Sequence, residues 1–134
     1  MKKYTFLIVL FIVAATTAFA QTAITASSVT FKIKNLGIMT DGKFGPVTGN
    51  IKFDPAHLDS SVIDAAIDVN TINTDNNTRD GHLKGQKFFD AEKYPQLTMK
   101  STSIQKKGSG FLGKFNLTIK GITKPIDMPF TYNE

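Results

Sequence analysis

The chain has 134 residues, no cysteine, no tryptophan and a formal charge of +5. That length suits one domain, and the missing thiols exclude disulfide staples, thiol nucleophiles and thiolate metal ligands. Its lysines are spread along the sequence rather than gathered in a patch, which argues against nucleic-acid binding and leaves only a general attraction to anionic head groups.

The first twenty residues read as a secretory signal peptide. Lys2 and Lys3 give a basic start, residues 6–13 are an unbroken apolar run, and Ala18-Phe19-Ala20 is a small-x-small cleavage site. The apolar run is short of the roughly 20 residues that span a bilayer. Cleavage after Ala20 leaves one domain, 21–134, with no transmembrane anchor and a charge of +3 once Lys2 and Lys3 are gone. The expected location is the periplasm or the medium.

Period-two alternation dominates the rest, the mark of antiparallel β structure. The first strand is expected at 29–34, where Val29, Phe31 and Ile33 oppose Thr30, Lys32 and Lys34. Asp41-Gly42 reads as a turn. A second strand follows at 43–53, bulged or kinked at Gly45-Pro46, with Val47, Gly49, Ile51 and Phe53 on one face. The third is expected at 61–72, with Ile63, Ala65, Ile67 and Val69 alternating with polar or small residues.

An insert then interrupts the strands at 77–95, reading NTRDGHLKGQKFFDAEKYP. Thr78 is expected to cap a short helix whose first turn holds Asp80 and which ends at Gly85. Asp90 is expected to cap a further turn, closed by Pro95. Phe88 and Phe89 both read as core residues. Three more strands are expected at 96–104, 111–120 and 124–132, with a hairpin at 106–110. That makes six.

Arg79, Asp80 and His82 are the one cluster equipped for acid–base chemistry. No serine or lysine nucleophile stands at a telling spacing from them, so the structural reading is preferred and no enzyme is expected. His57 and His82 are the only imidazoles, too few for a closed zinc site, and no metal is expected.

The insert also carries a resemblance. Arg79-Asp80-Gly81-His82-Leu83, Phe88-Phe89-Asp90-Ala91 and Lys93-Tyr94-Pro95, followed by Gly113-Lys114-Phe115-Asn116-Leu117-Thr118-Ile119-Lys120-Gly121-Ile122-Thr123-Lys124-Pro125, resemble the YceI-like family of secreted bacterial proteins. The resemblance runs from about Ser28 to the end of the chain. It implies an all-β fold, an antiparallel lipocalin-like β-barrel with a short helical insert. It also implies non-covalent binding of a long isoprenoid lipid, a polyprenyl chain or quinone tail, as cargo rather than as a cofactor. The inward residues Phe31, Ile33, Ile51, Phe53, Ile67, Val69, Met99, Phe115, Leu117 and Phe130 would either line a tube for that tail or fill a core. Arg79, His82, Lys84 and Lys87 would meet a polar head at the mouth. Many family members carry a histidine where this chain has Asn35. Six strands fall short of the family's barrel, so strands beyond Glu134, a smaller barrel, or an edge paired in a homodimer are the expected remedies. The alternatives to a lipid carrier are a ligand-free interaction module and, less favoured, an enzyme using Asp80 and His82.

Overall fold

A computed structural model describes residues 22–24 and 26–134; the signal-peptide features at 1–20 lie outside the described residues. The described residues form eight strands and one α-helix: β1 (Thr22–Ala23), β2 (Val29–Asn35), β3 (Ile38–Phe44), β4 (Thr48–Lys52), β5 (Val62–Asp68), α1 (Asn77–Lys84), β6 (Gln96–Lys107), β7 (Gly110–Ile119) and β8 (Ile122–Phe130). Short 3-10 turns lie at Leu58–Ser60 and Val69–Thr71. Six strands form one antiparallel sheet in the order β1-β4-β5-β6-β7-β8, and β2 pairs with β3 as a separate hairpin. The hairpin meets the rest at Lys43 and Asn73, whose N–H groups each donate to the other's carbonyl at 2.9 Å. Neither sheet closes on itself among the described residues, so the expected all-β architecture is present and a closed barrel is not.

Four differences from the sequence reading have local causes. Asp41-Gly42 is not a turn but the middle of β3; the reversal is at Leu36-Gly37, with φ of 50° and 84°. Two consecutive positive φ values give the hairpin turn whose twist matches the flanking strands. Gly42 is needed for space instead: a Cβ there would lie 2.2 Å from the Phe31 ring across the hairpin. The expected second strand is two strands, because the chain breaks at Gly45-Pro46, where Gly45 N–H donates to Thr71 Oγ1 at 2.8 Å. The third strand stops at Asp68, whose carboxylate accepts from the Asn70 N–H at 2.9 Å and starts the 3-10 turn. The helix is capped by Asn76, which accepts from the Arg79 N–H at 2.9 Å, not by Thr78; Gly85 does end it.

Two features set the register of the sheet. Between β6 and β7 the pairing slips from Ser101–Phe115 to Ser103–Lys114, leaving Thr102 as an extra residue. The bulge restores the facing, so that Met99, Ser101 and Ile104 share one side of the sheet. On the edge strand β8, Ile119 and Ile122 flank the two-residue turn Lys120-Gly121, both at positive φ. In such a hairpin the flanking pair exchanges hydrogen bonds, so alternate residues turn their backbone groups outward. Pro125 and Pro129 occupy two of those outward positions and offer no N–H there.

Candidate functional site

Antiparallel partners share a face of a sheet, so the register assembles the site residue by residue. Ile51 stands opposite Ile63, Ala65 opposite Met99, Ile67 opposite Leu97, and Met99 opposite Leu117. Phe115 faces Ser101 on one side and Ile126 on the other, and Phe111 faces Phe130. The outcome is one continuous apolar face across five strands. Most of it is half-buried: Ile51, Phe53, Ile67, Met99, Leu117 and Phe130 all keep part of their surface in contact with solvent. Phe115 and Val69 do not. Phe115 is 2% exposed, its ring filling the space a Cβ on Gly113 would need, and Val69 is sealed within its 3-10 turn. Of the ten residues expected to line a tube or fill a core, these two are sealed. Phe31 and Ile33 are half-buried on the separate β2–β3 hairpin, where Phe31 packs on Phe44 at 5.2 Å.

The two ends of this face differ. At the far end, where β4 and β8 finish, Phe53 meets Phe111 at 5.0 Å and Tyr132 at 4.9 Å, and Phe111 stacks on Phe130 at 5.4 Å. Four rings cluster at that end. A loop follows there in which His57 Nδ1 donates to Asp54 at 2.8 Å; that bond, helped by the Ala56 N–H, holds the Asp54 carboxyl below its ordinary 3.8.

The other end carries the insert. Its first turn is fastened locally through Thr74, a residue the sequence reading missed. Thr74 N–H and Oγ1 donate to Asp80 Oδ1 at 2.9 and 2.6 Å, while Arg79 Nε donates to Thr74 Oγ1 at 2.8 Å and its Nη2 to the Thr74 carbonyl at 2.6 Å. Thr74 and Asp80 are both buried. Further along, Lys120 Nζ donates to the Gln86 carbonyl, and the Tyr94 ring packs over Gly121. Phe89 meets Phe44 edge-on at 6.2 Å, joining the insert to the β2–β3 hairpin.

In the RDGHL segment Asp80 and Arg79 are both hydrogen-bonded to Thr74. Asp80 is occupied by Thr74 and shares no hydrogen bond with His82, which is exposed on α1. Arg79 does not pair with Asp80 directly; Thr74 stands between them. The four residues expected at a head group differ in their surroundings. Arg79 is committed to Thr74, His82 and Lys87 are exposed, and Lys84 is half-buried at the end of the helix. Phe88 is 54% exposed, against the expectation that it packs in the core, because the chain from Gln86 to Phe89 turns rather than extends. Open depressions of about 460 Å³ and about 440 Å³ lie on the β2–β3 hairpin, against Phe31, Gly42 and Asn73, and at the ends of β7 and β8, against Phe111, Pro129 and Phe130. No helix among the described residues is long and apolar enough to cross a membrane.

The fold and site define an antiparallel β-sheet protein with one apolar face, with clustered rings at one end and a hydrogen-bonded insert beside the other. The model of the YceI-like domain matches residues 21–134, and the chain belongs to that family. Curated relatives include a UPF0312 protein of Yersinia pestis (strain Pestoides F), 35% identical over 99 residues that make up 73% of this chain and 52% of the relative. Another, from Vibrio campbellii, is 34% identical over 102 residues, 75% of this chain and 54% of the relative. The chain thus spans about half the length of the curated relatives it matches. Among solved structures, Burkholderia cenocepacia BcnA matches with a TM-score of 0.71 at 28% identity, covering 78% of this chain and 66% of that one. A Campylobacter jejuni YCEI protein matches with a TM-score of 0.62 at 32% identity, covering 96% of this chain and 67% of that one.

Proposed function

We propose that the protein binds a long isoprenoid tail non-covalently along the apolar face, with the polar head at the insert end, and that it does so outside the cytoplasm after export. The observation that carries this reading is the face itself: continuous from Ile51 to Phe130, half-open to solvent, and bordered at one end by Phe53, Phe111, Phe130 and Tyr132. An ordinary core would be sealed; an accessible apolar stripe calls for an apolar occupant. The ring cluster leaves the insert end as the place for a head group. Membership of the YceI-like family supports the same reading.

Magnitudes favour a long tail. Each buried methylene-like carbon contributes ~0.8 kcal/mol, so a five-carbon isoprene unit half-covered by this face contributes roughly 2 kcal/mol. Association costs on the order of 4–15 kcal/mol in lost freedom. A single unit cannot offset that, whereas several together can. Catalysis has no support from Asp80 and His82, which are not joined.

A length series tests the proposal. Titration with prenols from one isoprene unit upward should show affinity rising with each unit until the face is covered, and Met99→Glu, which puts a carboxylate at its centre, should abolish uptake while leaving the circular dichroism spectrum unchanged. Affinity independent of tail length, or uptake unaffected by the carboxylate, would contradict it.

A further inference from the structure

Beside the insert the apolar face ends in exposed side chains: Ile119 and Ile122 pair with each other and share the face of Phe115 and Leu117. Phe88 is 54% exposed, and on the neighbouring β7–β8 turn Ile119 is 36% and Ile122 61% exposed. These are far apart in sequence, but the Lys120–Gln86 hydrogen bond and the Tyr94–Gly121 packing bring the insert and the turn together. The same two segments, 84–94 and 119–124, hold five lysines (Lys84, Lys87, Lys93, Lys120 and Lys124) against two carboxylates, Asp90 and Glu92. Asp80, the remaining acid of α1, is buried and occupied by Thr74. Exposed aromatic and aliphatic side chains ringed by lysine are what an interfacial anchor needs: the apolar groups enter the acyl boundary while the cations meet anionic head groups.

We propose that this end docks the protein reversibly on an anionic lipid bilayer, through Phe88, Ile119 and Ile122 with Lys84, Lys87 and Lys124. Charge complementarity commits the occupant. The exposed hairpin tip at Leu36, Ile38 and Met39 carries less charge: Lys32 and Lys34 stand near it with Asp41, and Lys32 pairs with Asp41 at 3.3 Å. The docking edge is continuous with the apolar face, so it would place a tail held there at the bilayer from which such lipids come.

The chain contains no tryptophan, so one introduced residue is a clean reporter. Purified protein is mixed with vesicles of phosphatidylcholine alone or with phosphatidylglycerol, and sedimentation is measured alongside the fluorescence of Phe88→Trp and Leu36→Trp. The expected result is co-sedimentation with the anionic vesicles only, weakened by salt, with a blue shift at position 88 and none at 36. Lys84→Glu with Lys87→Glu should lower the apparent affinity by about ten-fold or more. No sedimentation of the unaltered protein would overturn the proposal. So would binding that survives the charge reversal, or a shift at position 36 in place of 88. Extraction of bound isoprenoid from the same preparation reads the cargo question separately, so the two failures are distinguishable.

Discussion

Replacing Asp80 by alanine should loosen the start of α1. Asp80 is 8% exposed and accepts two hydrogen bonds from Thr74, one from its backbone N–H and one from its hydroxyl. Bonds to a charged acceptor contribute about 1.5–3 kcal/mol each, and a buried donor left without a partner costs about 1–3 kcal/mol. The Thr74 hydroxyl can rotate to another acceptor, but its N–H cannot, so the expected loss is about 3 kcal/mol. For a domain of this size that corresponds to a fall in Tm of roughly 12 °C. Asp80→Asn keeps one acceptor oxygen and should cost only about 1 kcal/mol. Thr74→Val removes the hydroxyl alone and should be non-additive with Asp80→Ala by about 1 kcal/mol, because the two share one bond. Thermal and urea unfolding measure all three, and hydrogen exchange of the α1 amides reports whether the loosening is local. An Asp80→Ala variant within about 0.5 kcal/mol of the unaltered protein would refute the reasoning, since surface changes commonly fall in that range.

Three further outcomes follow from single contacts. Gly49→Ala should destabilise by about 3 kcal/mol or more, because φ is +137° there and a Cβ would lie 2.2 Å from the Asp64 carbonyl oxygen; an unfolding curve unchanged from the parent would contradict this. His57→Ala should raise the Asp54 pKa towards 3.8, read by NMR titration. Because the folded pKa is the lower one, the stability this bond lends is present above pH ~4 and is lost as pH falls through the folded value; a titration unmoved by the substitution would show that His57 is not the cause. Pro125→Ala with Pro129→Ala restores two outward N–H groups on β8 and should promote edge pairing between copies, seen as a concentration-dependent rise in mass by light scattering; identical masses would mean that the prolines do not guard the edge.

Much of the sheet was legible in the sequence because side-chain direction in a strand depends only on parity. Val29, Phe31 and Ile33 are half-buried and Thr30, Lys32 and Lys34 exposed, as the alternation of the first strand requires. Misreadings came where a residue acts against its usual preference. Leu36 takes a positive φ that leucine seldom adopts, so Gly37 alone marks the true hairpin, while Gly42 looks like a turn and serves to admit the Phe31 ring. Asn76 and Thr78 are both good caps two residues apart, and only the backbone geometry chooses between them. The Thr102 bulge has no local signature. The insert was conspicuous as charged and aromatic, but its fastening was not. The bonds from Thr74 to Asp80 and from Lys120 to Gln86 join residues that no periodic pattern relates. Whether the inner residues fill a core or stay accessible depends on how the sheet curves, which parity does not encode. Phe115 and Leu117 have the same parity, yet one is sealed and the other half-open.

Native mass spectrometry of the protein purified from a bacterial host, followed by organic extraction, tests the central claim most directly. The account predicts a bound species released by solvent, its mass series spaced by isoprene units, and its loss in Met99→Glu. A bare chain that takes up no prenyl lipid on addition would contradict it.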